Sequence, residues 1–293
     1  MRPKLLLVLT GVLGLAACGG HQAQHEAPPA RTVATAEDPD IPAAFLALMD
    51  EAREGQWSAL PIGEIAVRVG RHFAGAPYEA GILDRGIAEE LVVALDSFDC
   101  VLLVETALAA ARSIRDERYG FDAFRENLKA MRYRGGELDG YCSRLHYFSE
   151  WIRDNEQRGL VSNVTKELGG LRLDKTLNFM SGHRASYPRF ATNDSLFLGI
   201  KRMEKDLSGI EIFYIPQDRI STVYDRIESG DIIATATNIA GLDVSHTGLA
   251  YRDGDSVGFL HASTSGGVKV SPDLQEYVQS NGIQIGIVVV RPR

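Results

Sequence analysis

The chain has 293 residues, of which 45% are hydrophobic and 24% charged, and a formal net charge of −8 at pH 7. A chain of this length can bury a sizeable core in one domain or in two closely packed lobes. The acidic balance argues against nucleic acid as a partner, because a surface that follows phosphates needs a basic patch.

The first residues have the features of an export signal. Arg2 and Lys4 are basic, Leu5 to Leu15 form an apolar run, and small residues lead to Cys18. The apolar run is shorter than the roughly 20 residues that a membrane-spanning helix needs. The sequence LAAC also resembles the lipobox of bacterial lipoproteins, which implies a signal peptide over residues 1–17 and lipid attachment at Cys18. The alternative is an ordinary secretory signal with a chance cysteine.

A tether is expected to follow the signal. Residues 18–40 contain several Pro, Gly and Ala and few large apolar residues, which is typical of a flexible linker. No aspartate follows Cys18 to indicate inner-membrane retention, so the expected location is the outer membrane, facing the periplasm. Residues 41–293 are even in composition and are expected to form the folded domain.

The pattern of apolar residues changes between the two halves of this domain. Helical spacing predicts helices over 44–54, 62–73, 121–134 and 143–159, after which residues 160–210 have an irregular pattern. Residues 75–86 are predicted to form a loop and 89–96 a short strand. Short β-rich segments follow at 230–238, 246–263, 266–271 and 283–292. Helices first and an antiparallel sheet afterwards predict an α+β fold.

Cysteine is rare in the chain. Of three cysteines, Cys100 and Cys142 remain if Cys18 carries lipid. In an exported protein these two could form a disulfide, or one could be reactive and the other a packing residue. No pair of Cys or His residues has the spacing of a structural zinc site, so neither a metal nor another cofactor is predicted.

Cys100 stands at the start of a predicted buried helix, in the sequence DSFDCVLLVETALAAAR. Asp96 or Ser97 could cap this helix, which puts the thiol in the first turn. The helix dipole there is expected to lower the thiol pKa, and the free N–H groups can hold an oxyanion. The alternative reading is a cysteine that only packs in the core.

Two histidines are predicted to meet on a β-hairpin. A two-residue turn at Asp253–Gly254 pairs His246 with His261, on one face with Gly248 and Phe259. That arrangement suits a general base with an orienting partner. A register slip of one residue would separate the two faces and leave unrelated histidines.

Several motifs together resemble the NlpC-type papain-like cysteine hydrolases of the cell wall. They are APYEAGILD, FDCVLLVE, GDIIATAT, SHTGLAY and FLHAS. RLHYFSEWIRDN, LNFMSGH and GLDVSHTGLAY are closer to an N-acetylmuramoyl-L-alanine amidase-like branch, and the resemblance covers most of residues 60–293. One departure is DCVL at the nucleophile, where the superfamily usually has DCSG.

The resemblance implies roles for individual residues. Cys100 matches the nucleophile, His246 the general base and His261 the orienting residue, while Tyr78 and Asp99 match residues beside the nucleophile. The implied reaction forms a Cys thioester, and the implied substrate is peptidoglycan or a muropeptide, cleaved between N-acetylmuramic acid and L-alanine. A γ-D-glutamyl-diaminopimelate endopeptidase of the same fold, or a non-catalytic envelope-binding lipoprotein, remains open.

Other residues near these motifs could line the substrate cleft. His183 lies in a Gly-flanked segment, where binding groups often occur. Asp243 and Ser245, just before His246, could contact substrate or cap the strand end. Cys142 lacks a nucleophile motif and is expected to pack.

Overall fold

The computed structural model describes residues 41–293. The predicted signal peptide (1–17), the tether (18–40) and the lipid site Cys18 lie outside the described residues. Within the described part, no helix is both long and apolar enough to cross a membrane.

The described chain forms nine α-helices and eight strands. The helices are α1 (Ala43–Glu54), α2 (Ile62–His72), α3 (Cys100–Arg115), α4 (Phe121–Arg132), α5 (Phe148–Gln157), α6 (Phe179–Gly182), α7 (Pro188–Ala191), α8 (Asp194–Asp206) and α9 (Leu274–Gln279). The strands are β1 (Val161–Asn163), β2 (Leu171–Leu173), β3 (Ile212–Pro216), β4 (Ile232–Thr237), β5 (Val244–Asp253), β6 (Ser256–Ser263), β7 (Gly267–Ser271) and β8 (Gln284–Pro292).

The strands form one antiparallel sheet in the order β2-β3-β8-β4-β5-β6-β7, and β1 also pairs with β8. Helices fill most of the first half and the sheet fills the second, so the predicted α+β class is confirmed. The predicted helix over 143–159 begins only at Phe148, since Ser143 ends a 3-10 turn and Arg144 pairs with Tyr133 in an isolated antiparallel bridge.

Two parts of the secondary-structure prediction are wrong. Residues 89–96 form no strand, although their sequence favours one. The segment predicted as irregular, 160–210, contains the 13-residue helix α8, whose first turn Asn193 caps by accepting the N–H of Leu196. A small core of its own supports α8, with Phe190, Ile200 and Met203 among its members.

The sheet has apolar residues on both faces. Leu249 and Leu260 pack into the core that contains α2 and α3, whereas Ala250 and Phe259 pack into the core that contains α9. This division follows from the alternation of side chains along a strand. The strands β5 and β6 are therefore held from both sides, which fixes the position of the side chains at their ends.

Candidate active site

Cys100 is the first residue of α3. Asp99 caps the helix, and its carboxylate accepts a hydrogen bond from the Leu102 N–H at 2.8 Å. The predicted helix start is thus confirmed, but the cap is Asp99 instead of Asp96 or Ser97. Ser97 instead donates to the Glu79 carboxylate at 2.8 Å.

The approach to Cys100 is fixed by a short pairing with the loop around Tyr78. The Glu79 N–H donates to the Phe98 carbonyl, and the Phe98 N–H donates to the Pro77 carbonyl, both at 3.0 Å. Phe98 is fully buried. Tyr78 therefore lies beside the start of α3, where its pKa is raised by burial and by the neighbouring Cys100 and Asp99.

The thiol of Cys100 is protonated at rest. Burial, followed by the charge of Asp99, raises its pKa to about 11. Hydrogen bonds to the thiolate lower this pKa, but more weakly than burial raises it; they come from the main chain and hydroxyl of Thr247 and from the N–H of Cys100 itself. The prediction of a lowered thiol pKa is therefore wrong, because desolvation outweighs the helix N-terminus.

The hairpin register differs from the prediction by one residue at the turn. Asp253 pairs with Ser256 and Ala250 with Phe259, so the two turn residues are Gly254 and Asp255. Moving the turn by one residue moves the pairing by two positions, and an even shift keeps each side chain on its face. The predicted direct pairing of His246 with His261 is wrong, while their shared face is confirmed by their contact.

That contact joins the two imidazoles at right angles. His246 Nε2 lies 2.8 Å from His261 Nδ1, and the interplanar angle is 89°. His261 Nε2 in turn lies 3.0 Å from Ser271 Oγ on β7. A consistent hydrogen-bond chain follows if His246 Nε2–H donates to His261 and His261 Nε2–H donates to Ser271. In that chain, Nδ1 of His246 remains available as a base.

Aromatic rings enclose the imidazole pair. The Phe259 ring stacks on His261 with centroids 4.8 Å apart, and the Tyr277 ring lies 4.7 Å from His261 and 6.0 Å from His246. Burial lowers the pKa of His246 to about 4 and that of His261 to about 3, so both rings are neutral at pH 7. The neighbouring His246 and Lys269 lower the pKa of His261 further.

Two residues connect the thiol with the histidines. Thr247 follows His246 on β5 and lies beside the Cys100 thiol. Tyr277 contacts both imidazoles, and the charge of a Cys100 thiolate contributes to its raised pKa, after burial. Sequence reasoning missed Thr247, Ser271 and Tyr277. The only available signal was for Thr247, which lies inside the SHTGLAY motif.

The remaining predicted site residues have other neighbours. Asp243 is buried and accepts the main-chain N–H and the hydroxyl of Ser149, both at 2.7 Å, so it ties the start of α5 to β5. Ser245 Oγ lies 3.2 Å from Thr235 Oγ1. His183 is exposed at the end of α6, with Nδ1 2.8 Å from the Phe179 carbonyl. Substrate contact by these residues stays a prediction.

The second cysteine packs elsewhere. Cys142 lies on the 3-10 turn Tyr141–Ser143, against Leu196 and Gly199 of α8. Cys100 and Cys142 are both free thiols in the structure. Across residues 41–293, no cluster of three or more His, Cys, Asp or Glu side chains could hold a metal ion.

Known proteins resemble this chain over most of its length. A family model described as AmiA-like, N-acetylmuramoyl-L-alanine amidase-like, matches residues 68–287. A crystal structure of an N-acetylmuramoyl-L-alanine amidase from Bacteroides uniformis is 34% identical, with a TM-score of 0.76 over 79% of this chain and 99% of that chain. A Bacteroides fragilis structure, described as that of a candidate xylanase, is 36% identical, with a TM-score of 0.72 over 76% of this chain and 99% of that chain.

A more distant match shows the fold alone. A Legionella pneumophila protein is 21% identical, with a TM-score of 0.65 over 85% of this chain and 94% of that chain. No curated protein matches this chain.

Proposed function

Because this chain belongs to the AmiA-like, N-acetylmuramoyl-L-alanine amidase-like family, we propose that it is a cysteine amidase of the cell wall. The proposed reaction is hydrolysis of the amide between N-acetylmuramic acid and L-alanine in peptidoglycan fragments. The observation that carries the cysteine mechanism is the placement of Cys100 at a helix start, with Thr247 and Tyr277 linking it to the imidazole pair.

In the acylation step, the Cys100 sulfur bonds to the lactyl carbonyl carbon while its proton passes to His246 Nδ1. The negative charge moves to the carbonyl oxygen, for which the Cys100 N–H is a free donor at the helix N-terminus. When the C–N bond breaks, His246 returns the proton to the leaving L-alanine nitrogen. Water then attacks the thioester, releases the muramic acid carboxyl group and restores the thiol.

The pKa values imply a specific order of events. A thiol with a raised pKa beside an imidazole with a lowered pKa is a neutral pair at rest. Proton transfer is therefore coupled to attack on the substrate, since a free thiolate–imidazolium pair is disfavoured in this buried site. His261 and Ser271 hold His246 in the tautomer that can accept the proton.

The same contacts favour an amidase over a glycosidase, the class to which the Bacteroides fragilis relative's description points. Glycosidases of the usual kind need two carboxyl groups that flank the scissile bond. Here the Asp99 carboxylate caps α3 and the Asp243 carboxylate is held by Ser149. These two carboxylates thus hold main-chain groups, which favours the thiol and the two imidazoles as the reacting groups.

Product analysis tests the bond that is cleaved. The purified protein is incubated with muropeptides, and the products are identified by their masses in a mass spectrometer. An amidase releases the whole stem peptide, with L-alanine as its free N-terminus, from the sugar. Release of a peptide that starts at diaminopimelate would instead identify the endopeptidase. No cleavage at all would favour a non-catalytic envelope-binding protein.

The proposal also places the enzyme at the envelope. The basic and apolar start of the chain and the LAAC sequence support lipid attachment at Cys18 and a periplasm-facing position on the outer membrane. Fatty-acid labelling of cells tests it, because the label should enter the wild-type protein and be absent from Cys18→Ser. Equal labelling of both proteins would contradict this part of the proposal.

A further inference from the structure

The segment that leads to the nucleophile has an unusual main chain. Residues 89–94 have a strand-like sequence, ELVVA after the first glutamate, yet they join no helix, turn or sheet. Their main-chain groups form no main-chain hydrogen bonds with the described residues. Leu91 and Val93 are only partly buried, so part of this segment is accessible from outside the core.

One edge of the segment is held by side chains. The Tyr133 hydroxyl donates to the Glu90 carbonyl at 3.0 Å, and Arg132 Nη1 donates to the Val92 carbonyl at 2.5 Å. Arg132 is itself buried and paired with Glu105 of α3 at 2.7 Å. This edge is therefore fixed against the same helix that carries Cys100.

The same support continues towards the N-terminus of the segment. Arg189 Nη1 donates to the carbonyls of Gly86 at 2.8 Å and Ala88 at 3.3 Å. The carbonyls that receive side-chain donors are thus those of Gly86, Ala88, Glu90 and Val92, every second residue. Residues 86–88 are bent, so the spacing of an extended chain bound along one edge applies only to Glu90 and Val92.

The opposite edge is free. In an extended chain the N–H and C=O of one residue point to the same edge, and those of the next residue point to the other. The groups of Leu91 and Val93 therefore face away from Tyr133 and Arg132. No hydrogen bond to these four groups is made within residues 41–293. They have the arrangement of a strand that lacks its neighbour.

A cavity of about 300 Å³ lies along this segment. Its lining includes Glu90, Val92 and Val93 and also Asp96 and Ser97, which precede Cys100 by four and three residues. The cavity thus touches Val93 on the free edge and, at Asp96 and Ser97, the chain shortly before Cys100. A ligand lying in it can reach both.

We propose that the free edge at Leu91 and Val93 binds the peptide portion of the substrate through hydrogen bonds between these main-chain groups and the amide groups of the peptide. The assignment of the peptide to the stem of a muropeptide rests on the proposed function. Main-chain pairing supplies affinity without demanding particular side chains, which suits a ligand whose common feature is its amide groups. A second copy of this chain is the other partner that a free edge could attract.

Amide hydrogen exchange tests the pairing without altering the segment. The probe is the synthetic peptide L-alanyl-γ-D-glutamyl-meso-diaminopimelate, added to Cys100→Ala protein so that no turnover is needed. Saturating peptide should slow exchange at the amides of Leu91 and Val93 by at least about tenfold and leave the Val92 amide unchanged. Binding without protection of Leu91 and Val93, or no binding at millimolar peptide, overturns the proposal. So does protection that depends on protein concentration in the absence of peptide, because it indicates self-association.

Proline substitutions provide an independent test with a matched control. Proline removes one N–H and favours the extended conformation, so it fits the segment. In the Cys100→Ala background, Leu91→Pro and Val93→Pro should each raise the peptide Kd. The variant that carries both substitutions should raise the Kd by at least about tenfold, as expected for two lost hydrogen bonds. Val92→Pro, whose N–H faces the held edge, should change the Kd by less than about threefold. Equal weakening by all three contradicts the proposal.

These outcomes are distinct from failure of the proposed function. Peptide binding is measured in a protein without the nucleophile, whereas the proposed function is tested by hydrolysis with wild-type protein. Binding at the free edge without any hydrolysis would sustain the subsite and refute the amidase. Hydrolysis by the wild-type protein, together with Leu91 and Val93 amides that stay unprotected when the peptide is bound, would support the amidase and refute the subsite.

Discussion

His246 Nε2 and His261 Nδ1 lie 2.8 Å apart, with the two imidazole planes perpendicular. Because the Ser271 hydroxyl at the other nitrogen of His261 can donate or accept, two sets of tautomers satisfy these contacts, and in one of them His246 Nε2–H donates to His261. In that set His246 keeps an unprotonated Nδ1. The role proposed for His261 is to hold His246 in that form, which can receive a proton.

Replacing His261 tests this role. His261→Ala removes the acceptor for His246 Nε2–H and should lower kcat/KM on a muramoyl-peptide substrate by about 100-fold, the lower end of the range for general acid–base catalysis. His261→Asn, which offers a carbonyl oxygen, should retain more activity than His261→Ala. Ser271→Ala should cost less than either. Full activity of His261→Ala would show that His246 needs no partner.

Thr247 should tune the thiol. Its hydroxyl is buried, makes no hydrogen bond of ordinary length with the described residues, and lies where it lowers the pKa of Cys100. Thr247→Val keeps the shape and removes the hydroxyl, so it should raise the apparent pKa of Cys100 and slow alkylation by iodoacetamide several-fold at pH 9. Thr247→Ser should resemble wild type. Alkylation rates are measured in the Cys142→Ser background, and mass spectrometry locates the adduct on Cys100. Identical pH profiles of alkylation for Thr247→Val and for the protein that keeps Thr247 would show that the hydroxyl does not affect the thiol pKa.

Buried histidines should make the fold sensitive to acid. The folded-state pKa of His261 is lowered from 6.5 to about 3, so between these values the unfolded chain binds more protons than the folded one. The stability contribution of neutral His261 is therefore complete above pH 6.5 and is lost as the pH falls towards 3.

Denaturant unfolding at several pH values measures this effect. The free energy of unfolding should fall between pH 6.5 and 4, and the fall should be shallower in His261→Gln, by at most about 1.4 kcal/mol per pH unit. The acidic side chains titrate in both proteins, so the difference between them isolates the histidine. An unchanged slope in the variant would mean that His261 is not held neutral.

The sequence was sufficient for the α+β class, for the helix start at Cys100 and for the shared face of His246 and His261. These features depend on local patterns: an N-cap next to an apolar run, and the alternation of side chains along a strand. An even register shift leaves that alternation intact, which is why the histidines meet despite the misplaced turn.

Other features depend on contacts between distant segments. The thiol pKa reflects desolvation by the surrounding fold, which the helix position alone does not reveal. The segment at 89–94 has a strand-like sequence, but the side chains of Tyr133 and Arg132 take the place of a neighbouring strand. Likewise, Ser271 and Tyr277 join the histidines only because β7 and α9 pack beside them.

Matched cysteine variants test whether Cys100 is the nucleophile. Hydrolysis of an N-acetylmuramoyl-L-alanyl peptide is measured with wild-type, Cys100→Ser and Cys142→Ser proteins of equal thermal stability. If Cys100 is the nucleophile, we expect a loss of at least about 1,000-fold in kcat/KM for Cys100→Ser and a change of less than about threefold for Cys142→Ser. Hydrolysis by Cys100→Ser at the wild-type rate would contradict it.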